Sequence, residues 1–197
     1  MPADDAVASW DAEAEDYDLP ADHGLRDDSV RDVWRDLLLG LLPDPPASVA
    51  EMGCGTGTLS VLLADEGYQV DGVDFSPEML RRAELKAAGR SSVRLRLGDA
   101  AVPPLPEAAY DVVLSRHVLW AMPDPADALR RWAALLRPGG RLVLVEGFWS
   151  TGAGLRADQT TALVEGLGRA AELTRLRDPA YWGRVVDDER YVVLSRG

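Results

Sequence analysis

The stretch Val49-Ala50-Glu51-Met52-Gly53-Cys54-Gly55-Thr56-Gly57 joins an apolar run to a glycine-rich turn, and a helical pattern follows from Thr58. Glycines in such a turn let the chain reverse tightly and let the backbone approach a ligand. The third glycine of a dinucleotide-binding G-x-G-x-x-G pattern is absent, and so is the Gly-Lys-Ser/Thr sequence of a P-loop. A strand-to-helix turn without a ligand is the alternative interpretation.

Strands and helices alternate after this turn. The pattern predicts strands at 48–52, 68–73, 93–97, 110–114 and 141–145, with helices at 58–66, from 77, and at 125–136. Pro138-Gly139-Gly140 is predicted to be a turn into the strand at 141–145. This alternation favours an α/β fold with a doubly wound parallel sheet. A helix near 157–167 precedes two further strands, at 172–177 and 190–195, which have no helix between them. We therefore expect those two strands to form an antiparallel pair at the sheet edge.

The segment before the glycine turn is predicted to be helical. Residues 28–42 form an amphipathic pattern, with apolar side chains at helical spacing and charged residues on the opposite face. Residues 4–17 form a weaker acidic helix pattern, and residues 19–25 are predicted to be a loop.

Composition limits the classes of partner. The 197 residues suit one domain, and 33 acidic residues against 21 Lys and Arg give a net charge of −12. Such a surface repels nucleic acid and anionic lipid. No apolar run approaches the roughly 18 residues of a membrane span, and the acidic start of the chain lacks the features of a secretory signal. We therefore expect a soluble cytoplasmic domain with a small-molecule substrate, no membrane or nucleic-acid partner, and an unknown oligomeric state.

Metal and disulfide chemistry is not expected. Cys54 is the only cysteine, which excludes an intramolecular disulfide and a multi-cysteine zinc site. The two histidines, His23 and His117, are far apart in the chain and do not show metal-ligand spacing.

Carboxylates follow two of the predicted strands. Asp74 ends the second strand, and in a doubly wound sheet that position lies beside the glycine turn, where a carboxylate can accept both hydroxyls of a ribose. Gly98-Asp99-Ala100 ends the third strand and places a second carboxylate where it could bind the exocyclic amine of adenine. The alternatives are a helix-start acid before Ser76-Pro77 for Asp74 and an ordinary turn for Asp99.

The ordered motif set resembles that of class I S-adenosylmethionine-dependent methyltransferases, in particular small-molecule enzymes of methyltransferase type 11. The resemblance covers about residues 48–147 and rests on five motifs. They are Glu51–Gly57, Val70–Leu80, Gly98–Ala100, Tyr110–Leu114 and Leu136–Leu144. It implies a seven-stranded Rossmann-like methyltransferase sheet with an antiparallel last strand. It also implies that the chain binds S-adenosylmethionine and releases S-adenosylhomocysteine.

The resemblance assigns cofactor-binding roles residue by residue. The backbone of the glycine turn, Gly53-Cys54-Gly55-Thr56-Gly57, would lie against the methionine half, and Glu51 would bind its amino group directly or through water. Asp74 would bind the ribose, Phe75 and Met79 would flank the adenine, and Asp99 with the Ala100 amide, after Gly98, would bind the adenine edge. The backbone at Ser115 and Arg116 would face the amino-acid end. Tyr17 matches a tyrosine that reaches the cofactor carboxylate in similar proteins, with a packing role as the alternative.

These assignments divide the single domain, 1–197, into three segments. Residues 1–47 are expected to be a helical cap on the substrate side, 48–147 the cofactor-binding core, and 148–197 a segment at the sheet edge.

Candidate acceptor residues follow the fourth and fifth strands. His117 has the pKa range of a general base, and His23 is the weaker candidate; both could instead be packing or loop residues. Trp120, Glu146, Phe148 and Trp149 are expected to form an acceptor pocket, with ordinary packing as the alternative.

The chain is thus predicted to transfer a methyl group to a small molecule without a metal ion. An RNA or protein methyltransferase and a non-catalytic S-adenosylmethionine-binding regulatory protein remain as alternatives. The sequence does not identify the acceptor or whether oxygen, nitrogen, carbon or sulfur is methylated.

Overall fold

Seven strands form one mixed β-sheet in the computed structural model, which describes residues 4–197. Their order across the sheet is β3-β2-β1-β4-β5-β7-β6, and β7 runs antiparallel to both β5 and β6. The strands are β1 (Ser48–Met52), β2 (Gln69–Asp74), β3 (Val93–Leu97), β4 (Tyr110–Arg116), β5 (Leu136–Phe148), β6 (Glu172–Arg175) and β7 (Glu189–Arg196). The predicted doubly wound sheet with an antiparallel last strand is confirmed.

Helices cover both faces of the sheet. They are α1 (Asp4–Glu13), α2 (Ala21–Gly24), α3 (Asp28–Leu41), α4 (Thr58–Asp65), α5 (Pro77–Ala87), α6 (Pro125–Ala134) and α7 (Ala157–Glu165). Short 3-10 turns lie at Leu119–Ala121 and Pro179–Tyr181. As predicted, α5 follows Ser76, whose Oγ accepts a hydrogen bond from the backbone N–H of Met79 at 3.1 Å.

Two local predictions were wrong. Residues 19–25 contain the helical turn α2, which ends at Leu25, a buried residue with a left-handed φ of 47°. The predicted turn at Pro138-Gly139-Gly140 lies inside β5, because Tyr110 pairs with Leu136 while Val112 already pairs with Arg141. The strand therefore resumes after a local bulge.

Apolar side chains on the strands pack against helices on each face. On one face, Trp34 and Leu38 of α3 and Leu59 and Leu63 of α4 contact the sheet. On the other, α6 and α7 cover it, with Trp132 fully buried. Central parallel strands are apolar on both faces for this reason, and the polar groups that bind ligands are left to the strand ends.

The described residues include no helix that is both long enough and apolar enough to cross a bilayer. Met1–Ala3, which contribute to the predicted absence of a secretory signal, lie outside the described residues.

Candidate active site

A cavity of about 360 Å³, which we call the glycine-turn cavity, lies at the carboxyl edge of β1, β2 and β4. Its volume falls in the usual range of small-ligand sites, roughly 300–1,000 Å³. Ten of the residues singled out in the sequence line it: Tyr17, Gly53, Gly55, Asp74, Phe75, Met79, Asp99, Ala100, Arg116 and His117. Ala6, Trp10, Val118, Ala121, Met122 and Pro123 complete the lining.

The floor of the cavity is backbone in a conformation that favours glycine. Gly53 has a φ of 65° and Gly55 a φ of 53°, both in the left-handed region. A Cβ atom at Gly53 would lie 2.4 Å from Cγ2 of Val118, whereas one at Gly55 would approach only the ring of Tyr17, at 3.5 Å. Glycine is therefore required at Gly53 by the packing of Val118, whereas the backbone of Gly55 is open toward Tyr17.

Asp74 connects the glycine turn to the start of α5. Its Oδ2 accepts a hydrogen bond from the backbone N–H of Gly55 at 2.8 Å, and its Oδ1 accepts one from Ser76 N–H at 2.9 Å. The side chain is nearly buried, and burial raises its pKa above the usual value. Asp74 therefore makes the helix-start contact of one interpretation and also lines the cavity, where the ribose-binding role stays a prediction.

Phe75, Met79, Asp99 and Ala100 line another part of the cavity. Met79 is buried beside Phe75, and Asp99 accepts a hydrogen bond from Ala101 N–H at 2.8 Å. The carbonyl of Ala100 accepts a bond from Trp132 Nε1 at 2.7 Å, which holds this loop against α6. The carboxylate of Asp99, together with the apolar side chains of Phe75 and Met79, suits an aromatic ring that carries an amine.

The segment before α3 covers the cavity, and polar contacts attach it there. Asp11 accepts hydrogen bonds from Ser76 Oγ at 2.5 Å and from Glu78 N–H at 3.1 Å. Asp18 accepts a bond from Thr56 Oγ1 at 2.6 Å and forms an ion pair with Lys86 at 2.9 Å. Local sequence patterns indicate no role for these two aspartates, because their partners are at least 38 positions away in the chain.

His117 forms the wall at the end of β4. Its φ of 61° is unusual for a residue other than glycine, and its Nε2 is shielded from solvent without a hydrogen-bond partner among the described residues. Burial, followed by the guanidinium groups of Arg116 and Arg190, holds the pKa of His117 well below its usual value. The imidazole is therefore neutral at neutral pH, with an unsatisfied nitrogen.

His23 lies outside the lining of the glycine-turn cavity. Its ring stacks on Tyr17 with centroids 4.6 Å apart, and its Nδ1 lies 3.1 Å from the carbonyl oxygen of Tyr17. Arg116 fixes the same segment, since its guanidinium donates to the backbone oxygen of Asp22 at 2.6 Å. In this position His23 packs against a residue that lines the cavity.

Several predicted cofactor residues lie behind the lining. Cys54 and Ser115 are buried, Gly57 packs against Ala83 of α5, and Gly98 packs against Pro104. Glu51 is buried under the glycine turn and accepts a hydrogen bond from Ser60 Oγ. None of these residues lines the glycine-turn cavity.

The four predicted acceptor-pocket residues do not share one cavity. Glu146 is fully buried, and its Oε1 accepts hydrogen bonds from the backbone N–H groups of Val118 at 3.0 Å and Leu119 at 2.7 Å. Glu146 therefore fixes the backbone of Val118 and Leu119, next to His117. Trp120 packs edge-on against Trp149, with ring centroids 5.4 Å apart.

Phe148 and Trp149 line a second cavity instead, beyond β5. Trp149 also meets the ring of His117 edge-on, with centroids 5.2 Å apart. The aromatic residues thus separate two cavities and do not enclose a single pocket.

The two buried glutamates predict a pH-dependent stability. Burial raises the pKa of Glu51 to about 7 and that of Glu146 to about 8, so the folded protein holds protons that the unfolded chain releases above its ordinary carboxyl pKa. The stabilisation is complete below that ordinary value and is lost as the pH rises through 7 to 8. We expect the free energy of unfolding to fall by about 2–4 kcal/mol from pH 6 to pH 9.

Denaturant unfolding of wild type, Glu51→Gln and Glu146→Gln across this range measures the effect. Glutamine mimics the protonated carboxyl, so each substitution should remove part of the slope, whereas exposed Glu84→Gln should leave it unchanged. Parallel curves for wild type and both buried variants would contradict the assignment.

Comparison with known proteins adds a family match. Residues 50–144 match a family model described as a methyltransferase domain. The chain is 35% identical over 117 residues to demethylmenaquinone methyltransferase of Bacillus licheniformis, a match that covers 57% of this chain and 50% of that protein. It is 36% identical over 149 residues to trans-aconitate 2-methyltransferase of Streptomyces avermitilis, covering 72% and 51% of the two chains.

The chain therefore spans about half the length of the curated relatives that it matches. Among solved structures, an S-adenosylmethionine-dependent methyltransferase of Aquifex aeolicus has the same fold, with a TM-score of 0.69 at 17% identity. That match covers 94% of this chain and 97% of the other.

Proposed function

Since residues 50–144 match a methyltransferase domain, we propose that the chain is a class I S-adenosylmethionine-dependent methyltransferase, which transfers a methyl group from S-adenosylmethionine to a small-molecule acceptor. One observation is the main support for this proposal. A single cavity brings together a glycine turn with exposed backbone, the carboxylate of Asp74 and the carboxylate of Asp99.

The residues of the glycine-turn cavity fit the cofactor. Gly55 is bordered only by the ring of Tyr17, which suits close approach of the methionine half, and Gly53 beside it packs against Val118. Asp74 keeps lone pairs beyond its two backbone bonds, and these would accept the ribose hydroxyls. Asp99, Phe75 and Met79 would hold the adenine.

The cofactor supplies, when bound, a methyl group on a positively charged sulfur, which a nucleophile displaces in line. Most of the catalysis can then come from alignment and from exclusion of water. Trp10 and Tyr17 cover the cavity, and the Asp11 and Asp18 contacts hold this cover in place. Where the acceptor must lose a proton, the imidazole of His117, which lines the cavity, would receive it.

A small acceptor is favoured over a macromolecule. The net charge of −12 disfavours nucleic acid, and the two curated relatives described above have names that specify small molecules. An acceptor would enter from the side of His117.

A transfer assay tests the proposal. The protein would be incubated with methyl-labelled S-adenosylmethionine and, separately, with small-molecule, RNA and protein fractions of a cell extract. We expect label in the small-molecule fraction. Label confined to the RNA or protein fraction would contradict the acceptor class, and cofactor binding without transfer to any fraction would indicate a regulatory protein.

Metal removal should not change turnover. Among residues 4–197 no group of three histidine, cysteine or carboxylate side chains could hold a metal ion, and displacement at a sulfonium requires none. We expect the same rate before and after dialysis against a chelator. A rate that is lost in the chelator and restored by one divalent ion would contradict this prediction.

A further inference from the structure

The second cavity, of about 630 Å³, lies at the same edge of the sheet as the glycine-turn cavity. It is bounded by the carboxyl ends of β5 and β6 and by the start of β7, together with Phe148 and Trp149. Because β6 is antiparallel to β7, and β7 to β5, the ends of β5 and β6 point the same way as the end of β4. Ligands of parallel α/β sheets bind at this edge.

Four arginines and three carboxylates line this cavity, which we call the arginine cavity. Two of the arginines are neutralised. Arg190 is buried and forms a two-pronged ion pair with Asp188, at 2.6 and 3.0 Å, and Arg175 pairs with Glu189. The guanidinium of Arg190 also lies 5.3 Å from the ring centroid of Trp149, so the paired residues fix the aromatic wall.

The other two arginines have no such partner. Arg156 and Arg177 form no ion pair with any carboxylate whose side chain the structure describes, and Asp187 is the remaining acidic residue of the lining. The guanidinium of Arg156 lies 4.0 Å from the ring centroid of Phe148. In a chain of net charge −12, this cavity has a surplus of one positive charge.

The net positive charge of the arginine cavity favours a negatively charged ligand. Guanidinium groups bind planar carboxylates through paired hydrogen bonds. The three acidic residues in the lining disfavour a dianion such as a phosphate monoester, whereas a single carboxylate matches the surplus charge. The apolar faces of Phe148, Trp149 and Leu176 suit a hydrocarbon or aromatic body attached to it.

The arginine cavity is one aromatic layer away from the glycine-turn cavity. Trp149 lines the former and His117 the latter, and the two rings meet edge-on with centroids 5.2 Å apart. A ligand in the arginine cavity would therefore contact Trp149, whose ring meets that of a residue lining the glycine-turn cavity.

We propose that the arginine cavity binds the carboxylate of the methyl acceptor, which makes the acceptor a small monocarboxylic acid with an apolar body. This proposal rests on the proposed function, since it names the substrate class for that activity. Arg156 and Arg177 would set specificity by charge, and Trp149 would control access to His117.

Binding of matched probes tests the proposal without methyl transfer. Saturation-transfer NMR on the full chain would compare benzoate, phenylacetate and 3-phenylpropionate with their uncharged amides. We expect the carboxylates to bind more tightly than the amides. The double variant Arg156→Gln/Arg177→Gln should weaken carboxylate binding by about tenfold or more, as expected for loss of charge-assisted hydrogen bonds.

Arg130→Gln/Arg131→Gln on α6 is the matched control, because it removes the same charge from an exposed helix far from the cavity lining. It should leave probe binding unchanged. Equal binding of acids and amides, binding unaffected by the Arg156/Arg177 variant, or equal loss in both double variants would overturn the proposal.

Calorimetric titration with S-adenosylmethionine separates this test from the proposed function. Wild type that binds carboxylates but not S-adenosylmethionine would contradict the methyltransferase proposal, and the arginine cavity would then be a carboxylate site without an acceptor role. Wild type that binds S-adenosylmethionine and transfers its methyl group, yet does not prefer carboxylates, would overturn the arginine-cavity proposal alone.

Discussion

Asp74→Ala will weaken S-adenosylmethionine binding by about tenfold to somewhat more than a hundredfold. Hydrogen bonds from ribose hydroxyls to a carboxylate contribute roughly 1.5–3 kcal/mol, which corresponds to that range of affinity. The substitution also removes the acceptors for Gly55 N–H and Ser76 N–H, so the melting temperature should fall as well. Titration calorimetry and a melting curve on the same sample measure both effects. Asp74→Asn should weaken binding less, since the amide keeps one oxygen.

Asp71→Asn provides the control for stability. Asp71 is a buried carboxylate on the same strand, bound to Arg94 and Tyr110, and it does not line the glycine-turn cavity. Its substitution should lower the melting temperature and leave cofactor affinity unchanged. If Asp74→Ala also kept wild-type affinity, Asp74 would be a structural residue of the turn, and the ribose assignment would be wrong.

His117→Asn will lower turnover by about 10²–10⁴-fold if the acceptor must lose a proton, the usual contribution of a general base. Asparagine is the suitable substitution because it tolerates the left-handed backbone that His117 adopts. Cofactor affinity should stay unchanged. Since the pKa of His117 is held well below its usual value, the wild-type rate should decline on the acidic side only below the ordinary histidine pKa of about 6.5.

His23→Asn is the matched control, because His23 packs on Tyr17 and does not line the glycine-turn cavity. It should change turnover far less than His117→Asn does. A folded His117→Asn variant that kept full turnover across the pH range would rule out His117 as the base. Alignment of the acceptor alone would then account for catalysis.

Local sequence signals predicted the alternation of strands and helices and the antiparallel pair at the sheet edge, and the family resemblance supplied the seven-stranded sheet. The apolar runs and the glycine, proline and serine residues between them predicted β1 at its observed bounds and the start of α5 after Ser76. The turn at Pro138-Gly139-Gly140 was predicted to lie before the strand, whereas the structure has it inside β5. Periodicity along the chain does not show that residues on both sides of this turn pair with β4.

The site residues that could be predicted from the sequence are those that lie at the ends of strands. The glycine turn, Asp74 and Asp99 occupy positions that a doubly wound sheet brings together regardless of side-chain detail. The missed features depend on contacts between distant segments. Asp18 reaches Lys86 through the packing of the first helices, and Glu146 turns inward to hold Val118 and Leu119, although its sequence position suggested a pocket residue.

The arginine cavity was not predicted from the sequence for the same reason, because it depends on contacts between distant segments. It is built from the ends of three strands and the loop before β7, and its charges lie in separate stretches of sequence. Only the pairing of Arg190 with Asp188 and of Arg175 with Glu189 reveals which arginines remain for a ligand.

A crystal structure of the wild-type chain with S-adenosylhomocysteine tests the central claim most directly. We predict the ligand in the glycine-turn cavity, with its ribose hydroxyls on the carboxylate of Asp74, its adenine between Phe75 and Met79, and its amino-acid end over Gly53 and Gly55. Density for the nucleoside in the arginine cavity, or anywhere away from the carboxyl edge of β1 and β2, would contradict the account.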